Sequence, residues 1–280
     1  VIDIPDELVA NRRESSRGAA TWSPGGFGGV VSGSGHDGGM ARKPGNARAA
    51  GAGAGAGRAA GAVRAAQRPE VRLPPLVPYD GGDGGGLEPD GDYDGLEFQG
   101  IDFTGQSGRG ARFIDCALRE CGLDETELLN ARFVDSVLSG IRGVGTDLAG
   151  ASLRDVEVTD ARLGGVQLHG AVLERVLIRG GKIDYLNLRK AKLKDVVFEG
   201  CVLSEADFGG ALLERVEFRG CVLRRADFSA VQMKDVDLRT AAELDIARGV
   251  DRLAGAVISP AQLLDLAPAF AAQIGVRVEG

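Results

Sequence analysis

From Leu96 to Thr240 one apolar side chain recurs every five residues. Written in fives, the chain reads LEFQG IDFTG QSGRG ARFID CALRE CGLDE TELLN ARFVD SVLSG and stays in phase to VDLRT, 29 units without an insertion. The centre of each unit is Phe, Leu, Ile, Val or Met in 27 of the 29, with Gly108 and Gly143 as the exceptions. Two residues before each centre sits a smaller group, usually Ala, Val, Cys or Thr; Leu96, Ile101, Ile141, Leu186 and the polar Gln106 are the larger cases. Neither a helix, at 3.6, nor a lone strand, at 2, repeats every five residues over such a length. A short period of fixed phase predicts a solenoid whose units cannot bury themselves alone.

The two inward groups of each unit are one residue apart, which places both on one face of an extended segment. The remaining residues must turn a corner, and Gly, Asp or Asn often ends the unit, as at Gly100, Asp115, Asn130, Gly140, Asp155 and Gly220. Such residues adopt turn dihedrals at low cost. A second period gives the number of sides. Ala111, Ala131, Ala151, Ala171, Ala191 and Ala211 are spaced by 20, as are Val156, Val176, Val196, Val216 and Val236. Four units therefore close one coil, and like stacks on like. The expectation is a square coil of about seven turns, rising about 4.8 Å each. Phe198 should stack on Phe218 and Phe208 on Phe228. Replacing the central Leu168 by Ala should cost about 2–5 kcal/mol. Gly108 and Gly143 leave fillers out, predicting a bulged or loosened corner.

Units such as ADFGG, ADFSA and ARFVD make residues 96–240 resemble the pentapeptide-repeat family. That resemblance implies an all-β solenoid, a right-handed quadrilateral β-helix. It also implies two kinds of contact: a homodimer through the C-terminal end, and binding of DNA gyrase or topoisomerase by an acidic rod that mimics duplex DNA.

Past Leu238 the phase breaks, with Glu243 and Arg248 at centre positions, and resumes at Leu253 and Ile258, predicting an irregular last coil. Ser259 and Pro260 read as helix cap and first turn, with Gln262 placed to complete a capping box. Leu263, Leu266, Phe270 and Ile274 have helical spacing, and Gly275 can end the run. Pro268 should interrupt this helix or start a second one. VRVEG alternates like a short final strand. The predicted division is a Gly/Ala-rich region with linker at 1–95, a β-helix at 96–258, and a helical cap with terminal strand at 259–280. The cap covers the exposed end of the hydrophobic column.

Residues 1–95 hold half of the chain's 44 glycines. Their runs bury little apolar area, whereas ordering costs roughly 1–2 kcal/mol per residue, so 1–70 is predicted to be disordered. Val1 and the late Met40 leave a translation start at Met40 open, with 1–39 as upstream frame. RPEVRLPPLVPYD (68–80) is apolar and proline-stiffened enough to lie extended against the folded part. The alternating glycines from Gly51 to Gly57 lack the strand before and the GK[ST] after that a phosphate loop needs.

Composition narrows the function classes. Lys+Arg 33 against Asp+Glu 40 gives a formal charge of −7, which disfavours direct nucleic-acid binding. No stretch reads as a membrane span or signal peptide, so a cytoplasmic location is expected. Cys116, Cys121, Cys201 and Cys221 all occupy the small inward position, the register of buried, inert thiols. Cys201 and Cys221 lie one coil apart, close enough for a disulfide to be considered, but the inert buried thiol is the reading for all four. His36 lies in the glycine-rich part, and His169 follows a centre and points outward. No residues are assigned as catalytic, cofactor-binding or metal-ligating, no cofactor is expected, and the protein is read as non-enzymatic.

A basic belt of Arg175, Arg179, Lys182, Arg189, Lys190, Lys192 and Lys194 interrupts the acidic residues. Period 20 places Arg175 and Lys190 at corners of different walls, and Lys194 on the wall of Glu174 one coil earlier. A DNA mimic needs a continuous negative wall. The leading expectation is therefore a protein-interaction or scaffold module of unknown partner, with gyrase mimicry as the alternative.

Overall fold

The computed structural model describes residues 62–81 and 86–278. The described residues belong to one compact unit. The expectations for residues 1–61 fall outside the described residues.

Each unit except the last is a short extended side followed by one residue at positive φ: Gly100 at 65°, Asp155 at 52°, Arg175 at 50°. A residue with a Cβ pays about 1–2 kcal/mol for this conformation, which is why Gly, Asp and Asn recur there. Arg175, Tyr185, Lys190, Arg215, Arg225 and Ala230 adopt it as well. The stacked coil thus overrides local preference at those corners.

Pairing is parallel with a step of 20, so Val156, Val176, Val196 and Val216 align across successive coils. The first wall carries centres Phe113, Phe133 and onward, and the second carries Leu118, Leu138 and onward. Strands Arg132–Ser139, Ser152–Thr159, Val172–Arg179, Lys192–Glu199 and Leu212–Arg219 bend around the corner between these two walls. The third wall is a ladder running from Arg142–Val144 to Glu243–Arg248. The fourth is held by single bridges, among them Asp147↔Gln167 and Asn187↔Asp207.

Inward side chains fill the coil. Phe198 stacks on Phe218 with centroids 5.0 Å apart, and Phe208 on Phe228 at 5.1 Å, as the period required. Phe113 and Phe133 stack at 4.6 Å. Where the small inward position is polar, a carbonyl of the preceding coil satisfies it: Thr126 Oγ1 donates to Phe103 O and Thr146 Oγ1 to Leu123 O. Among the described residues no buried side-chain N or O lacks a hydrogen-bond partner.

The glycine centres behave differently from expectation. Leu87 moves into the space beside Gly108, where an added Cβ would stand 3.3 Å from the Leu87 Cβ. At Gly143 the ladder runs on unbroken, Gly143 pairing with Leu163. The Leu123 carbonyl and Thr146 Oγ1 close on the glycine, each 2.8 Å from where a Cβ would stand, and an apolar cavity of about 30 Å³ lies separately in the core, lined by Leu123, Leu138, Leu163 and neighbours.

The solenoid is right-handed with about nine turns rather than seven, because it extends past both ends of the repeat. Upstream, Asp92–Asp94 pairs with Arg112–Ile114, and Tyr93 stacks on Phe113 at 4.9 Å. Val77–Pro78 pairs with the strand Leu96–Gln99, and the Tyr79 ring lies 4.5 Å from Phe98. The segment around residues 68–80 therefore closes the first coil, and the described rod begins before Leu96. Residues 62–70, expected to be disordered, lie extended against the wall instead. Carboxylates on that wall give their backbone amides and arginines partners, which composition alone does not reveal.

At the other end Glu243–Arg248 pairs with Val222–Asp227 through two register shifts, the irregular last coil. The helix α1 (Pro260–Gln273) starts on the Ser259 capping box. Gln262 Nε2 donates to Leu238 O at 2.8 Å, and Leu266 is buried. Two expectations are corrected here. The helix runs through Pro268 without a break; Leu264, whose carbonyl loses its amide partner, is exposed and can be hydrated. Residues 276–278 form no strand, and Val276 and Val278 are exposed.

Candidate functional site

The residue types that most often carry chemistry are placed by the repeat, and it does not bring them together. All four cysteines are free and fully buried at the small inward position. Each bonds a backbone carbonyl, as Cys201 Sγ does to Ile178 O at 3.2 Å. Burial pushes the Cys116 and Cys121 thiols up. The Cys221 contact, then burial, pushes up that of Cys201. A thiol held protonated is a poor nucleophile. His169 is exposed on the fourth wall. Among the described residues no three His, Cys, Asp or Glu side chains are placed to hold a metal ion. No helix among them is long and apolar enough to cross a membrane.

The outer walls are where side chains are presented. Lys194 Nζ meets Glu174 Oε1 at 2.8 Å, one coil apart on one wall as the period required, and holds the Glu174 carboxyl below its ordinary range. The belt is largely neutralised in this way: Arg175 with Asp155, Arg179 with Glu199, Lys182 with Asp184, and Arg189 with Asp207. The fourth wall has an acidic column of Glu127, Asp147, Asp207 and Asp227. It is broken midway by Gln167 and Asn187, which bond each other at 2.7 Å. On the third wall Arg142, Arg162 and Lys182 stack beside Gly143 and Gly164, rimming an open notch of about 430 Å³.

The corner between first and second walls carries Asp115, Asp135, Asp155, Arg175, Asp195, Arg215 and Asp235 in succession. Arg175 Nε and Nη2 donate to Asp155 at 2.6 and 2.7 Å, and Arg215 binds Asp195 in the same two-bonded way at 2.7 and 2.8 Å. Paired donors of this kind are the strong form of the contact. Asp135 lacks such an arginine: burial first, then the charges of Asp155 and Asp115, raises its pKa.

Along this corner lie residues 62–70, a strap that sequence reasoning missed as a site. Arg64 Nε pairs with Asp235 at 2.9 Å and Arg68 with Glu199 at 2.5 Å. The Ala66 amide donates to Glu217 at 2.8 Å and the Gln67 amide to Asp195 at 3.1 Å. Asp195 is only 2% exposed and Glu217 5%. Burial raises the Asp195 pKa, but the Arg215 guanidinium and the Gln67 amide outweigh it, leaving the carboxyl below its ordinary range. A signal was available in the sequence. Positions 117, 137, 177 and 197 of the second wall point outward yet are Ala, Val, Leu and Val. Ala117, Leu177 and Val197 are buried. The stretch that leads on from the strap runs between Arg68 at Glu199 and Val77 at Leu96, both on this wall.

Comparison with known proteins agrees with this architecture. The family model for the pentapeptide repeat region matches residues 111–188 and 185–245. No curated protein matches the chain. Among solved structures the chain is similar to HetL, a pentapeptide repeat protein involved in heterocyst differentiation regulation from the cyanobacterium Nostoc sp. strain PCC 7120. Identity is 20% and the TM-score 0.27, over 62% of this chain and 92% of that one. It is also similar to full-length QnrB1, a plasmid-mediated fluoroquinolone resistance protein, at 16% identity and TM-score 0.34, over 67% and 92%. The pentapeptide repeat protein Rfr23 from the cyanobacterium Cyanothece 51142 is similar at 14% and 0.13, over 57% and 87%. With 27 of 29 centres in phase, a step of 20 in every uninterrupted ladder and the family model matched across 111–245, the chain belongs to the pentapeptide-repeat family.

Proposed function

We propose that this rod is a non-enzymatic protein-interaction or scaffold module, soluble and cytoplasmic, whose outer walls do the recognising. The observation that carries the reading is the alignment of outward side chains coil over coil, as in the Arg142, Arg162 and Lys182 column. Such columns give a rigid surface at fixed spacing, suited to a macromolecule. The interior adds weight: the apolar void in the core, about 30 Å³, is far too small for an organic substrate. A second copy would pack at the C-terminal end, where Leu263, Leu264, Ile274 and Val276 are exposed; sedimentation velocity would then show a dimer that Leu264→Glu dissociates.

Gyrase mimicry is the second reading, and the acidic fourth wall favours it. Gln167 and Asn187 interrupt that wall, and Arg189 and Arg248 pair with Asp207 and Asp227, which weakens its field. A supercoiling assay separates the two. The interaction reading expects no inhibition by the wild-type protein, and inhibition only after the belt bases are changed to Glu. It also expects affinity capture of a partner that is lost on reversing charges along one wall while the fold is kept. Sub-micromolar inhibition by the wild type would overturn it in favour of mimicry.

A further inference from the structure

We infer that the second wall and its acidic corner form a docking face for an extended peptide bearing two arginines four residues apart. The strap at residues 62–70 occupies that face in cis, ahead of a partner protein that presents such a segment. The proposal rests on reading the rod as an interaction module and names one of its partners by chemistry.

The geometry fits an extended chain running along the rod axis. Such a chain advances about 3.3 Å per residue, and coils rise about 4.8 Å. Three peptide residues therefore span about two coils. The contacts obey that rule: the Arg64 amide lies against Asp235, and three residues later the Gln67 amide meets Asp195, two coils earlier on the same corner column. Glu217, one coil from Asp195 on the adjoining wall, takes the intervening Ala66 amide. Because the peptide crosses the strands rather than joining them, its amides cannot enter the ladder. Carboxylates at the coil repeat take them instead. Two of these, Asp195 and Glu217, are buried beneath the segment and aimed at its backbone.

Recognition has three layers. The backbone amides read extended conformation, without regard to side chain. Arg64 and Arg68 read charge through Asp235 and Glu199 at the flanks. Ala117, Leu177 and Val197, outward but buried, supply an apolar floor for the residues beyond Arg68. In this chain these include Val71, Leu73 and Leu76, all half-buried. The strap's hold is exchangeable in a way the column is not. Arg64 is 62% exposed, and the bonds over 64–68 are polar ones that a similar peptide can replace one for one.

The test uses the full chain and a fluorescently labelled peptide of residues 62–73, AVRAAQRPEVRL, read by anisotropy. In the R64E/R68E protein the strap's charges oppose Asp235 and Glu199, and the polar part of the face over Asp195 and Glu217 is vacated while Val71 to Leu76 keep to the apolar floor. That variant should bind the peptide in the micromolar range, at least tenfold more tightly than the wild type. Adding D195A and E217A should abolish binding, and a peptide with the residues matching Arg64 and Arg68 changed to glutamate should not bind. If the double variant loses its strand signal in circular dichroism, R64Q/R68Q replaces it, removing attraction without adding repulsion. No binding to either vacated protein, or equal binding to wild type and variant, would overturn the proposal. A partner captured through another wall would leave the interaction reading standing while this one falls.

Discussion

The second and fourth walls are built from the same five-residue unit and share one core, yet they meet their surroundings in opposite ways. Inward, both are apolar: Phe198 and Phe218 on the second wall and Phe208 and Phe228 on the fourth are all fully buried. Outward, the second wall carries Ala117, Leu177, Val197 and Glu217, which the strap covers. The fourth carries Glu127, Asp147, Gln167, Asn187, Asp207 and Asp227, joined by single bridges and left open. The column sets how the chain stacks, and the outward position sets what each wall can hold. Stability and recognition are thereby written at different positions of one unit.

The comparison breaks first at the core if it breaks at all. Phe208→Ala and Phe198→Ala should each cost about 3–5 kcal/mol in urea unfolding, because both rings leave a cavity in the same column. A small loss at Phe208 alone would show that the fourth wall is not held by the column. Next come the arginines. Arg215→Ala leaves the buried Asp195 carboxylate without its guanidinium, with only the Gln67 amide beside it, and should cost about 2–3 kcal/mol, less than a fully buried pair because the guanidinium stays near solvent. Arg189→Ala, on the open fourth wall, should leave the urea midpoint unchanged.

Outward substitutions sharpen the difference further. Leu177→Asp places a charge under the strap and should raise trypsin cleavage at Arg64 and Arg72 severalfold. Asn187→Asp, facing open water, should not. The smallest effect is a pH slope. The folded Asp195 pKa is depressed, so its contribution is fully present above the ordinary carboxylate range and is lost as pH falls toward the lower folded value. Asp195→Asn should flatten the stability profile in that acidic window and leave it unchanged in shape near neutrality.

The repeat was legible because stacking is periodic. Every coil faces the same geometric demand, so the inward residues, the stacked Phe pairs and the Lys194–Glu174 contact emerge from counting alone. What answers a demand made once leaves no period. Leu87 filling beside Gly108 is a single event, and so is the strap, whose partners lie 128 to 171 residues away in sequence. Composition misread residues 62–70 for that reason: Ala, Gln and Arg bury little apolar surface, but their amides and guanidinium groups meet carboxylates already fixed by the rod. Pro268 failed in the opposite direction. A local rule predicted a break, but only one carbonyl is freed, at an exposed residue, and the rest of the helix holds. The apolar outward residues at 117, 137, 177 and 197 were the readable trace of the strap, since a wall open to water has no reason to repeat them.

Amide hydrogen exchange at Ala66 and Gln67 in the full chain tests most directly whether an extended segment covers the second wall. These amides belong to no ladder, so only Glu217 and Asp195 can protect them. Slow exchange is predicted at both, abolished in the D195A/E217A protein, while amides of the Val156 to Val216 coils stay protected in either protein. Exchange at Ala66 and Gln67 as fast as in the free peptide, with the coils intact, would contradict the covered wall.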